Sequence, residues 1–208
     1  MTRQTQRRRG RPRKIADAEQ ILPVALRVFA ESGYAAARLE DIARLAGLSK
    51  AALYGYYDGK EAIFEALVRS AVVPNIERLE RLVAGWRGSA AALLRRFFAT
   101  LAEAVRTTDL AAFPKLIIAE ASNFPHLADF YRRTVIERGL AVLARIIRRG
   151  IRRGEFRRVD PRTAARLCIA PVLFAMIWRT CFHRPDDGPF DPAPLLALHV
   201  ETMLKGLA

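Results

Sequence analysis

The feature that most constrains this chain is an apolar period of about 3.6 residues that recurs along nearly its whole length, with almost no strict alternation. That spacing places apolar side chains on one face of a helix, whereas a half-buried strand needs a period of two. Ile21, Leu22, Ala25, Leu26 and Phe29 make the first stripe, and Gly33 closes it. Pro23 is tolerable there if the helix begins only a few residues earlier, where amides lack partners anyway. Leu39, Ile42, Ala43 and Ala46 make the second stripe, ended by Gly47. Ser49 is placed to cap a short third helix carrying Leu53 and Tyr57 on one face. Asp58-Gly59 then turns the chain into a new helix at Lys60. Further on, breaks near 74, 85–88, 107–109, 123–125, 154–161 and 185–194 cut out about six longer helices, the last over 195–207. The pattern reads as all-α: a basic arm over 1–14, a three-helix head over 15–60 and a helical body over 61–208.

Charge narrows the partners. Lys and Arg number 35 against 21 acids, leaving a formal charge of +14. Such an excess calls for phosphates or another anionic surface. Residues 1–14 hold Arg3, Arg7, Arg8, Arg9, Arg11, Arg13 and Lys14 and no acid, with nothing to bury. This segment reads as a disordered arm, either for nucleic acid or as a passive solubilising tail. It lacks the apolar stretch of a signal peptide. The two cysteines, Cys168 and Cys181, lie far beyond disulfide reach along one helix and are expected as buried thiols in a reducing compartment. The uncharged run 167–178, between Arg166 and Arg179 and interrupted by Pro171, is too short to span a bilayer. A cytoplasmic protein with no membrane partner is expected.

Residues 39–54 carry the most specific signal. A short helix ends at a small residue and Gly47, Leu48 follows, and Ser49 starts a second helix: a helix-turn-helix. Ala43 and Ala46 let the two helices approach, and Leu48 plugs the gap between them. The second helix offers Lys50, Ala51, Ala52 and Gly55, small enough at the tip to enter a major groove. Tyr54, Tyr56 and Lys60 are candidate phosphate contacts. Lys50 is the strongest candidate for a guanine edge, and the Ala51 and Ala52 methyls could meet a thymine methyl.

In this stretch the chain resembles the DNA-binding domain of the TetR family of bacterial transcriptional regulators. Phe29, Gly33-Tyr34, Asp41-Ile42-Ala43, Ala46-Gly47-Leu48-Ser49-Lys50, Leu53-Tyr54, Tyr56-Tyr57 and Lys60-Glu61 carry the likeness across 21–67. Two departures stand out. Ala37 and Arg38 replace the usual Thr or Ser, which removes a cap from the second helix at a cost of about 1 kcal/mol. Arg38 could instead contact phosphate. Ala51 and Ala52 replace the commoner Gly and Thr or Ser. Taken together, these readings give a DNA interface of Arg38, Ser49, Lys50, Ala51, Ala52, Tyr54, Tyr56 and Lys60, with Arg11 and Arg13 of the arm placed to enter an adjacent minor groove.

Less specifically, residues 125–207 resemble the C-terminal domain of regulators akin to the AefR group, through Phe124-Pro125-His126-Leu127, Val135-Ile136-Glu137-Arg138-Gly139, Arg153-Gly154-Glu155-Phe156, Asp160-Pro161, Trp178-Arg179 and Arg184-Pro185. Such bodies dimerise through their last two helices, here about 161–183 and 192–206. Leu167, Pro171, Phe174, Leu195, Leu198 and Met203, with Ala175 and Trp178, are the expected seam of a homodimer. The alternative is that both faces pack within one body.

The resemblance also implies an effector pocket. Its candidate lining is Phe97, Phe98, Phe113, Phe124, Phe130 and Trp178, although aromatic residues at helical spacing are more often core than pocket. Glu120, on a largely apolar helix, would meet a ligand or pair with an arginine. The arginine run 145–158 reads as a solvated face rather than a second DNA contact. His126, His183 and His199 lack ligand spacing, so neither a metal nor a cofactor is expected.

The sequence therefore points to a repressor that leaves a palindromic double-stranded operator when a partly apolar small molecule binds. The alternative is a non-specific nucleic-acid binder driven by the arm. No catalytic constellation is visible, so no enzyme is expected.

Overall fold

The structure, a computed structural model, describes residues 13–207, with side chains described from residue 20 onward. The arm arginines Arg3 through Arg11 therefore lie outside the described residues. All regular elements among the described residues are helical, and the chain divides into two compact units at Ala66 and Leu67.

The first unit holds α1 (Arg13–Ala36), α2 (Leu39–Leu45), α3 (Lys50–Tyr54) and the greater part of α4 (Lys60–Leu67). The apolar stripes meet as the period requires. Ile21, Ala25, Phe29, Tyr34, Ile42, Leu53, Ile63 and Phe64 are all buried. Tyr34 lies between Phe29 and Phe64, its ring centre 5.3 and 6.0 Å from theirs. Gly33, at φ 77° and ψ 162°, breaks the helical path of α1 three residues before its end. The start of α1 differs from expectation. It begins at Arg13, so Pro23 stands ten residues inside the helix rather than in its first turn. A proline there removes one amide donor, but the buried stripe on either side holds the helix together. Arg13 and Lys14, counted in the arm, belong to the helix.

The second unit holds α5 (Val73–Gly85), α6 (Ala90–Thr107), α7 (Ala112–Glu120), α8 (Pro125–Tyr131), α9 (Glu137–Arg152), α10 (Pro161–Ile177) and α11 (Ala193–Leu207). Three junctions expected to be simple helix or breaks are π-helical turns: Val68–Val72, Arg132–Ile136 and Trp178–Phe182. Pro74 thus opens α5 without interrupting the helical path. Leu93, Leu94, Phe97, Phe98 and Leu101 of α6 are buried against α5, α9 and α11. Ser89 caps α6 by accepting from the Ala92 amide at 3.1 Å, and Asp160 caps α10 by accepting from the Thr163 amide at 2.8 Å. α9 is sharply two-faced: Val142, Leu143, Ile146, Ile147 and Gly150 are buried, and Arg145, Arg148 and Arg152 are exposed. At Gly150 the chain cannot carry a side chain unchanged. A Cβ would sit 2.1 Å from the ring of Phe156, which is itself buried.

α10 and its π turn form one helix, Pro161–Phe182, close to the expected 161–183. The uncharged run between Arg166 and Arg179 is only part of it; the whole helix, whose most apolar 18-residue window has a mean hydropathy of 1.5, is long and apolar enough by length and composition to cross a bilayer. Its Arg179 guanidinium donates to the carbonyls of Val105 and of Thr108, which ties this helix to the rest of the body. One expectation is corrected: Cys168 is buried, but Cys181, thirteen residues on and so on another face of the helix, is exposed.

Candidate nucleic-acid interface and apolar cavity

In the head, the turn between α2 and α3 is built from three local features. Gly47 adopts φ 70°, a left-handed conformation that a Cβ disfavours. The Leu48 amide donates back to the Ala43 carbonyl at 2.9 Å. The Ser49 hydroxyl accepts from the Ala52 amide at 3.1 Å and caps α3. Arg38 opens α2 in an extended conformation without a side-chain cap, as its chemistry requires. The turn leaves Ser49, Lys50, Ala51, Tyr54 and Gly55 exposed, with Ala52 and Tyr56 half-buried and Leu53 buried beneath them. Arg38 is also exposed.

Two lysines have partners that the sequence does not reveal. Lys50 Nζ lies 2.5 Å from Glu40 Oε1, across the turn from α2. The ammonium holds the Glu40 carboxyl below its ordinary pKa, and Glu40 in turn raises Lys50. Both groups are solvent-exposed, so the pair constrains the side chain more than it stabilises the fold. Lys60 Nζ donates to the Tyr34 and Ala35 carbonyls at 2.7 and 2.9 Å and lies 4.8 Å from the Tyr34 ring centre. Two of its donors therefore serve the end of α1, where a cation complements the helix dipole. As a phosphate contact it acts from a fixed position.

In the body, a cavity of about 270 Å³ is lined by α5 to α10. Leu79, Phe97, Leu101, Leu110, Ile117, Leu140, Ile169, Val172 and Met176 make it almost wholly apolar. Its polar groups are Asn75, whose amide donates to the Ala71 carbonyl at 2.9 Å, and Tyr131. Tyr131 is 6% exposed, and its hydroxyl makes no hydrogen bond with a described residue. Burial pushes the Tyr131 phenol well up, so it is a neutral donor. Two π turns contribute to the wall through Val72, Val135 and Ile136, in keeping with the frequency of such turns at functional sites.

The lining of this cavity differs from the residues expected for a pocket. Of the seven candidates, Phe97 alone faces it. Phe98 and Phe113 are buried in the packed interior, Phe98 against the His199 ring at 5.4 Å. Phe130 stacks under the Arg69 guanidinium at 5.1 Å, and Phe124 lies edge-on to His126 at 6.2 Å. Glu120 lies 3.4 Å from the Asn123 amide and away from the cavity. Trp178 is exposed on the outer side of the helix, in a row with Phe174 and Phe182 at 5.8 and 5.5 Å. Aromatic residues on a helical period fill the packed core, whereas the cavity is walled by aliphatics from elements far apart in sequence. Sequence reasoning missed Asn75 and Tyr131 for that reason.

The expected dimer residues divide. Leu167, Phe174, Leu195 and Leu198 are exposed, Leu198 by 70%. Pro171 is half-buried, and Met203 packs against its own core, as does buried Ala175. The arginine run is partly spoken for: Arg149 donates to the Trp86 and Gly88 carbonyls, Arg153 to Gly88, and Arg157 to Gly206.

Comparison with known proteins places these parts. Residues 21–67 match the model of bacterial regulatory proteins of the tetR family, and residues 86–188 match that of the tetracyclin repressor-like C-terminal domain. The latter bears the general description rather than that of the AefR group. Over 54 residues the chain is 44% identical to the HTH-type transcriptional regulator RutR of Escherichia coli (strain K12), a stretch covering 26% of each chain. The chain thus spans about a quarter of the curated relatives it matches. Among solved structures it resembles the TetR family transcriptional regulator PfmR from Thermus thermophilus, at 27% identity and a TM-score of 0.69, over 90% of this chain and 98% of that one. The fold also matches the fatty acid degradation regulator FadR from Bacillus halodurans, at 20% identity and a TM-score of 0.77, over 96% and 98%. Matched in its head by one family model, in its body by the other, and in fold along nearly its whole length, the chain belongs to the TetR family of bacterial transcriptional regulators.

Proposed function

We propose that this protein is a homodimeric repressor that binds a palindromic DNA operator and is released from it by a small apolar effector. The observation that carries the reading is the tip of α3: a capped, exposed helix end with small side chains, lifted on a buried leucine. Ser49, Lys50, Ala51 and Ala52 meet base edges and the nearest phosphates, while Tyr54, Tyr56, Lys60 and Arg38 position the head on the backbone. Lys50 must exchange Glu40 for DNA, an exchange favoured because the ion pair is exposed and weak.

A second copy covers the outer faces of α10 and α11. Leu167, Phe174, Trp178, Phe182, Leu195 and Leu198 would otherwise leave several large apolar side chains in water, three of them in one aromatic row. The effector enters the cavity of the body and takes its one specific hydrogen bond from Tyr131. It releases DNA only in so far as it binds the non-operator arrangement of the dimer more tightly.

Competition of a labelled fragment from the protein's own promoter against random duplex at fixed salt tests this reading. The wild type prefers the promoter by orders of magnitude. Lys50→Ala and Tyr54→Phe each weaken promoter binding by about tenfold, in line with about 1–2 kcal/mol per lost contact. Equal binding to any duplex would favour instead a non-specific binder driven by the basic arm.

A further inference from the structure

Beside the apolar cavity lies a groove of about 670 Å³ between α5, α9 and α10. Its walls carry Arg145 and Arg148 from α9 and Arg162 and Arg166 from α10. No guanidinium of these four makes a hydrogen bond or ion pair with a described residue. Arg162 acts on Asp160 through its charge, but that carboxylate is turned to the Thr163 amide. The acids on the groove do not offset the arginines. Glu80 is held by Arg138 at 2.9 Å, and Glu137 is paired with Arg132. Four like charges converging on one concavity repel each other, and nothing in the packing calls for them. A face that needed only solvation would spread such charges outward.

The groove and the cavity meet. Leu140 is in the wall of both, and along α10 Arg166 of the groove lies one turn from Ile169 of the cavity. An apolar space with one tyrosine hydroxyl in its lining thus lies beside a strongly cationic one, with Leu140 in the wall of both. That juxtaposition fits a ligand with two chemically opposite ends.

We propose that the effector is an anionic amphiphile: its apolar chain fills the cavity, and its carboxylate or phosphate head lies among Arg145, Arg148, Arg162 and Arg166. This rests on the effector reading above and adds the class of molecule. Arginine forks pair bidentately with either head group. The linkage also gives the arginines a role in selectivity, because a neutral molecule of the same length leaves four charges uncompensated.

Calorimetric titration of the full-length protein with a matched series separates the claims: decanol, decanoate, decyl phosphate, butyl phosphate and decanoyl-coenzyme A, all at one salt concentration. The expected result is that an anionic decyl compound binds about tenfold tighter than decanol. The doubly substituted Arg148→Gln, Arg166→Gln protein loses that advantage and binds decanol as the wild type does. The Arg148→Lys, Arg166→Lys protein, which keeps the charge, retains most of it. Preference among decanoate, decyl phosphate and decanoyl-coenzyme A then identifies the head as carboxylate, single phosphate or polyphosphate. Anions that bind no tighter than decanol overturn the proposal and leave the apolar effector standing. So does butyl phosphate binding as tightly as decyl phosphate, since the groove would then work without the cavity. Loss of operator affinity in the Gln protein without any ligand would make the groove a DNA contact instead. Failure of every decyl compound, decanol included, overturns both this inference and the effector reading.

Discussion

At the scale of single residues, the most informative group is Tyr131. The Tyr131 hydroxyl has no protein partner, yet it is not fully cut off from the open cavity, so it contributes little to folding: it gains no protein hydrogen bond and need not give up its water. Tyr131→Phe therefore changes the unfolding free energy by no more than about 0.5 kcal/mol, measured by urea denaturation. The same substitution weakens effector binding by about three- to tenfold, the worth of one neutral hydrogen bond. Equal loss of stability and affinity would mean that the hydroxyl serves the fold.

Lys60 shows what residue chemistry alone conceals. Its charge, next to two tyrosines, reads from the sequence as a phosphate contact. Its ammonium also donates to carbonyls 25 and 26 residues back in the chain, which fixes where it stands. Lys50 is similar, since Glu40 reaches it only because the α2–α3 turn folds the two helices together. In both cases residue type was legible and partnership was not.

At the scale of elements, the head was legible almost throughout. Its helices are short and their boundaries are marked by Gly33, Gly47, Ser49 and Gly59, each of which forces or caps a turn by local chemistry. The exception is α1, whose start upstream of Pro23 has no such signal. The helices of the body were legible as segments, but not their π turns, which insert one residue without altering the apolar period enough to notice. Nor was the cavity legible, because its wall comes from six helices and their junctions.

Gly150 tests the packing of two such elements. Its hydrogen lets Phe156 close the end of α9, and Gly150→Ala must displace that ring. The expected cost is about 1–3 kcal/mol, the usual range for overpacking a filled site, read as a lower denaturation midpoint. Gly139, where a Cβ meets nothing within 4 Å, is the control. Gly139→Ala leaves stability unchanged or slightly raised, since alanine is the better helix former.

At the scale of the whole molecule, two features of the account depend on a second copy. The exposed aromatic row of Phe174, Trp178 and Phe182 needs a cover, and a groove reader gains affinity by engaging two half-sites at once. Phe174→Glu combined with Leu198→Glu places four carboxylates in the seam of a dimer. Because both side chains are exposed in the single chain, its fold is unaffected. Sedimentation then shows a folded monomer where the wild type is a dimer, and operator affinity falls by about a hundredfold or more. A dimer that survives these changes would place the seam elsewhere.

The net charge of +14 acts at the same scale. It speeds encounter with any duplex and makes affinity fall steeply with salt, but it carries no sequence information. In the proposed reading, sequence choice comes from α3. Selection of bound molecules from a pool of random duplexes, followed by sequencing, tests this most directly. The account predicts enrichment of one inverted repeat whose half-sites lie about one helical turn apart or a multiple of it, altered at one position in each half-site by Lys50→Ala. A pool that stays random, or a repeat that is the same with and without the Lys50 side chain, would contradict it.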